Sequence, residues 1–121
     1  MAAQADDALA RQLRALRREY LADSTQRVTE LRGLLARLAA GEHAVLLDLA
    51  RAFHRLAGSG GSYGFPIVST RSREGERLAN RLGTDQAAVA EADLASFRAC
   101  IDAVGDAFAE ALTTLDREPN G

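Results

Sequence analysis

The stretch RAFHRLAGSGGSYGF, Arg51 to Phe65, holds one of the chain's two histidines, followed at once by four glycines, Gly58, Gly60, Gly61 and Gly64. Imidazole in water titrates near ~6.5, so an exposed histidine keeps a substantial neutral fraction at cellular pH. The lone pair of the neutral ring can attack phosphorus and carry a phosphoryl group covalently. His54 is therefore the candidate nucleophile. Arg51 and Arg55 flank it, and Arg71, Arg73, Arg77 and Arg81 follow on the next segment. Brought together, such guanidinium groups set up a local positive field that favours an acidic partner and the charge of a phosphoryl group.

Competing chemistries lack their residues. The run GSGGSYG has no GK[ST] ending and follows a helical pattern, where a phosphate-binding P-loop needs a strand. His43 and His54 stand eleven positions apart, no H-E-x-x-H spacing exists, and Cys100 is the single cysteine, so no metal site is expected. Cys100 adjoins Ile101 in an apolar helical pattern and reads as a small buried thiol. Arg11, Arg14, Arg17 and Arg18 recur at helical spacing. With Leu13 and Leu16 among them, they describe an amphipathic helix with a solvated face, not a DNA reader. A net charge of −2 supplies no long-range pull toward nucleic acid or an anionic membrane.

The elements that must position His54 are helices. A chain of 121 residues has room for one core, and a single domain over 1–121 is expected. The composition is 47% hydrophobic but only 5% aromatic, dominated by Ala and Leu, which favours packed helices over a sheet. No apolar run approaches 18 residues and no hydrophobic segment opens the chain, so a cytoplasmic protein is expected.

Leu9, Leu13, Leu16 and Tyr20 predict an N-terminal helix over about 5–22, with Asp23, Ser24 or Thr25 capping a new start and Gln26 able to close a capping box with Asp23. Gly41 ends the segment that follows. A helix from near Glu42 carries Val45, Leu46, Leu49, Phe53 and Leu56 until the glycines interrupt it. Pro66 opens the next, which stops at Gly83, and Thr84 or Asp85 caps a last helix bearing Leu94, Phe97, Ile101, Val104, Phe108, Leu112 and Leu115. Short connections make neighbours antiparallel. The predicted fold is all-α: an up-down-up-down four-helix bundle over 24–117 with an additional N-terminal helix and a frayed tail at 118–121.

At about 100° per residue, Leu46, Leu49, Phe53 and Leu56 share one stripe, and His54 lies roughly 100° round from Phe53, on the solvent flank. Gly58, four positions on, is its neighbour on the helix surface. Two readings stand open: the missing side chain clears the ring for a closely approaching partner, or Gly58 only marks the helix end.

HRLAGSGGSYG resembles the histidine phosphotransfer domain of two-component phosphorelays, whose pattern is roughly His-x-Leu-Lys-Gly with a second glycine six residues later. His54, Leu56, Gly58 and Gly64 fall on those positions, and the helix order extends the likeness over most of the chain. The resemblance implies that His54 accepts a phosphoryl group from an aspartyl phosphate on one receiver domain and passes it to an aspartate of another. No kinase activity and no nucleotide, metal or other cofactor belong to the chain itself; Mg2+ is expected in the partner receiver only. The implied partners are receiver domains of a hybrid histidine kinase and of response regulators, with no nucleic acid, no membrane and a monomeric state.

Gly58 would admit the receiver, Gly64 would allow the turn between the two central helices, and Gly61 falls on the same receiver-facing side. Leu47, Arg73 and Arg77 are further candidate partner contacts. Ala57 departs from the pattern, standing where the family has a lysine that neutralises phosphoryl charge; Arg51 or Arg55 could substitute. Glu76 occupies a position where relatives often carry a glutamine that hydrogen-bonds the histidine. A carboxylate there would orient the neutral ring through its other N–H and repel the phosphoryl group. The alternative, motivated by Ala57, is a helical adaptor that binds receivers without transferring.

Overall fold

Leu31, Leu35 and Leu38, then Leu46, Leu49, Phe53 and Leu56, then Phe97, Ile101, Val104 and Phe108 recur every three or four residues, and all of them are buried. Such a stripe folds one face of a helix inward. The computed structural model describes residues 2–86 and 88–117, with side chains from residue 6 onward. It contains α1 (Ala2–Ala22), α2 (Ser24–Ala39), α3 (Val45–Ser62), α4 (Pro66–Asp85) and α5 (Glu91–Arg117). No strand occurs among the described residues. The expected frayed tail at 118–121 lies outside them.

Helices α2 to α5 close a ring: α3 packs on α2 and α4, and α5 packs on α2 and α4. Turns of a few residues reverse the chain each time, giving the antiparallel bundle that the spacing predicts. At its centre Phe53 stacks with Phe97, centroids 6.2 Å apart. Burying each of these rings stabilises the fold by about 1.5–3 kcal/mol. Cys100 is buried in the same core, and burial, with the Glu74 carboxylate second, pushes its thiol up against the opposing effect of Arg71.

Helix α1 joins the bundle through its last two turns, where Arg17 Nε donates to the Tyr63 carbonyl at 3.2 Å. Tyr20 stacks on Tyr63 at 4.4 Å and meets Phe108 edge-on at 5.9 Å, while its hydroxyl lies 2.8 Å from Ser59 Oγ. The spacing of three or four residues from Leu9 to Tyr20 predicts a core-facing stripe along the whole helix. Only Tyr20 and Leu21 reach the core; Leu9, Leu13 and Leu16 stay 56%, 48% and 47% exposed, because α1 runs past the bundle.

Three predicted boundaries shift. Asp23 interrupts α1 and α2 without a side-chain cap, and no capping box with Gln26 forms; Ser24 Oγ instead donates to the Leu21 carbonyl at 2.7 Å. Helix α4 does not stop at Gly83 but continues to Asp85, ending at Gln86 in a left-handed conformation, φ +48°. Consequently neither Thr84 nor Asp85 caps α5, whose start is held by Asp93 Oδ2 accepting from the Ala90 N–H at 2.9 Å.

The third shift concerns the site. The glycines do not interrupt α3, which runs through Gly58, Gly60 and Gly61 to Ser62. Glycine serves two opposite purposes along this helix. A Cβ on Gly60 would fall 2.8 Å from Val68 Cγ1 and 3.1 Å from the Ser69 nitrogen, so its absence lets α4 cross close to α3. Gly75 does the same from the other helix, where a Cβ would lie 2.6 Å from the Phe53 ring. Gly75→Ala should therefore cost about 1–3 kcal/mol by overpacking, offset by up to about 1 kcal/mol of helix propensity. Gly83→Ala, with nothing within 4 Å, should gain that propensity alone. Paired thermal melts check the contrast; equal shifts would show that α4 does not press on Phe53 there.

Candidate functional site

His54 lies in the third turn of α3, on the face that the core stripe leaves outside, and its side chain is 75% exposed. Neighbouring positions sort by angle. Ala50 and Ala57 fall about 40–60° to one side of His54, and Leu47, Gly58 and Arg51 about 20–60° to the other. The first side is taken by α4. Ala57 is 5% exposed and its carbonyl accepts a 2.8 Å bond from Ser69 Oγ. The second side is open, and nothing lies within 4 Å of where a Gly58 Cβ would be.

Across the α3–α4 seam, Glu76 Oε2 lies 2.7 Å from His54 Nδ1. An ionised carboxylate has no proton to give, so Nδ1 donates and the neutral ring carries its lone pair on Nε2. Glu76 is held for this: its side chain is only 23% exposed, wedged between helices, while the ring above it is free. The pair fixes both tautomer and direction, leaving Nε2 as the nucleophilic nitrogen. The ring borders a shallow hollow of about 250 Å³, lined also by Leu47, Ala50, Arg51, Arg55, Glu76 and Asn80.

Not every candidate residue converges there. Arg51 borders the hollow, with no partner among the described residues. Arg55 also borders it, but its guanidinium reaches back to Glu30 of α2 at 3.6 Å. Arg71 pairs with Glu74 at 3.1 Å and Arg81 with Asp93 at 4.0 Å. Arg73 and Arg77 are exposed on α4 outside the hollow.

Gly61, Gly64 and Ala57 each sit differently toward α4. Gly61 is exposed, yet its missing side chain points at α4, where a Cβ would meet Ser69 Oγ at 3.5 Å. Gly64 adopts φ +84°, which favours glycine, and turns the chain from α3 into α4. Ala57 cannot face a docking partner, because it is roofed by the first turn of α4. A lysine stem at that position would have to run out across Ser69. Asn80 and Ala50 were not legible as site residues until α3 and α4 were placed side by side. The signal for Asn80 was its position four after Glu76, one turn along the same face.

His43, the other histidine, lies in a separate hollow with Leu38, Gly41, Val89, Glu91 and Leu94. No group of three or more His, Cys, Asp or Glu side chains suited to a metal ion occurs among the described residues. No helix among them is long and apolar enough to cross a membrane.

A family model described as Hpt domain matches residues 3–115, nearly the whole chain. No curated protein and no solved structure matches it.

Proposed function

The chain belongs to the Hpt domain family, whose members take part in histidine phosphotransfer in two-component systems, and from that premise we propose that it is a phosphorelay intermediate with His54 as the carrier. The Nε2 lone pair attacks the phosphorus of an aspartyl phosphate on a docked receiver. The P–N bond forms as the P–O bond breaks, and the carboxylate leaves. The reverse reaction on a second receiver discharges the chain. Glu76 holds the Nδ1 proton throughout, so the ring needs no reorientation between the two half-reactions. Mg2+ and the acidic pocket belong to the receiver, and this chain contributes no cofactor.

The observation that carries the reading is the exposed, carboxylate-oriented imidazole beside the open surface at Gly58. Leu47, 56% exposed one face-repeat before His54, offers the receiver an apolar contact. Arg51 is the cation placed to meet phosphoryl charge in place of the absent lysine, since Arg55 is engaged with Glu30.

The test is to mix the chain with phosphorylated receivers from its own genome and follow label onto it. An acid-labile, alkali-stable phosphoramidate on the chain is expected with at least one receiver. Absence of label across the panel sinks the proposal, and receiver binding without transfer makes the chain an adaptor.

Glu76→Ala should slow acceptance about tenfold or more, since a misaimed nucleophile loses much of its positional advantage. Glu76→Gln keeps an oxygen that can accept from Nδ1 and removes the charge. It should retain more of the rate and hold the phosphoryl group longer. Rapid-quench acceptance and discharge rates separate the two effects; an unchanged Glu76→Ala rate removes Glu76 from the mechanism.

A further inference from the structure

Arg51 and Arg55 both border the hollow beside His54, and the structure uses them differently. At about 100° per residue, Gly58, Arg51 and Arg55 stand roughly 40°, 60° and 100° round from His54 on its open flank. Four residues apart on one helix, the two like charges repel. Beyond Arg55 comes α2, where the fully buried Leu31 fixes which face meets the bundle and leaves Glu30 at the α3 edge. Glu30 draws Arg55 aside: Arg55 Nη2 lies 3.6 Å from Glu30 Oε1, with the two side chains 60% and 55% exposed.

That contact is loose. A charge-assisted N–H···O bond closes to about 2.7–2.9 Å, and water screens an exposed ion pair until it contributes little. A phosphoryl group on Nε2 brings a charge of about −1.5 to −2 and three acceptor oxygens to the same hollow. Arginine meets such a group with two parallel N–H donors, which a single carboxylate oxygen at 3.6 Å does not engage. The Arg55 side chain already lines the hollow, so its guanidinium reaches the phosphoryl group by turning about its own bonds, with no helix moving.

We propose that Arg55 changes partner with the state of His54, pairing with Glu30 while the ring is free and with phosphoryl oxygens once it is loaded. The exchange rests on His54 as the carrier. Glu30 is then a positioning residue: it competes for Arg55 and so sets how firmly the phosphoryl group is held. Arg51 meets the charge directly, Glu76 repels it from the α4 side, and Arg55 adds an attraction that Glu30 limits. Losing the cargo returns Arg55 to Glu30, which favours handing the group on.

The chain is labelled with phosphoramidate, which needs no receiver, and the monoanion-to-dianion titration of the phosphohistidine is followed by phosphorus NMR. A guanidinium beside the group favours the dianion. Arg55→Gln should therefore raise the midpoint and Glu30→Gln should lower it, each by about 0.3–0.7 pH, the two- to fivefold change that an exposed ion pair supplies. Both positions are more than half exposed, so the thermal melts should stay with wild type. Glu30→Gln added to Arg55→Gln should leave the midpoint where Arg55→Gln alone puts it. Equal midpoints for wild type and both single variants overturn the exchange while leaving His54 as the carrier. A Glu30→Gln shift that survives Arg55→Gln overturns it as well, because Glu30 would then act on the phosphoryl group without Arg55. A chain labelled neither by phosphoramidate nor by any receiver removes the carrier and the exchange together.

Discussion

His54→Gln should abolish phosphoryl acceptance while leaving the thermal melt within experimental scatter of wild type. The side chain is 75% exposed, so its replacement removes one surface hydrogen bond to Glu76 and little packing. Changes of that kind are worth within about 0.5 kcal/mol. The chemical loss is complete, because a carboxamide nitrogen has its lone pair delocalised and cannot attack phosphorus as neutral imidazole does. His43 makes the experiment sharper. It is the one other imidazole of the chain and lies in a different hollow, beside Glu91, where no cation lines the surface. Label persisting on His54→Gln would move the carrier to His43 and empty the α3–α4 seam of its assigned role.

How far the sequence went depends on what each residue had to meet. The stripe Leu46, Leu49, Phe53 and Leu56 was enough to place His54 on the outer flank, because helical angle is a local property. The partnership with Glu76 was reachable only through the family likeness, since the two residues are 22 positions apart and pair across a seam that no local pattern describes. The glycines of α3 misled for a related reason. Low helix propensity argues for a break at Gly58, Gly60 and Gly61, but tertiary packing overrides it: Gly60 lets Val68 and Ser69 approach, and the helix persists.

Ala57 was misplaced by the same gap in information. The family pattern sets it on the receiver-facing side, and only the crossing of α4 shows that it is covered. The exposed ridge of α1 failed in the opposite sense. Leu9, Leu13 and Leu16 have the spacing of core residues, and spacing cannot say how far along such a stripe the rest of the chain reaches.

The electrostatic consequence of Ala57 follows from its burial. With the lysine position roofed, compensation has to come from a longer side chain on the open flank of the ring, and Arg51, one turn back, is the residue that meets this condition. It lies on the side opposite Glu76. A phosphoryl group on Nε2 would therefore sit between an attractive guanidinium and a repulsive carboxylate. Such a balance suits a carrier that must give up its cargo as readily as it takes it.

The open flank itself is tested by filling it. Gly58→Trp should reduce transfer from a phosphorylated receiver about a hundredfold or more, as displacement of the reacting atoms by an ångström already costs that much, and it should do so without destabilising the bundle. Gly58 is exposed and nothing stands within 4 Å of its Cβ position, so a side chain there starts outward without striking α4. Replacing an exposed helical glycine also recovers up to about 1 kcal/mol of backbone entropy and propensity, so the melting temperature should hold or rise. Gly60 and Gly75 behave in the opposite way, where any side chain strikes Val68 or Phe53 and stability falls first. The informative quantity is the split between the two measurements. A Gly58→Trp protein as stable as wild type, with His54 still labelled rapidly by a small phosphoryl donor such as phosphoramidate but no longer by the receiver, locates the defect in docking. Undiminished transfer from the receiver would mean that the partner does not approach over Gly58, and that the space beside His54 is only the residue of a helix surface without a side chain.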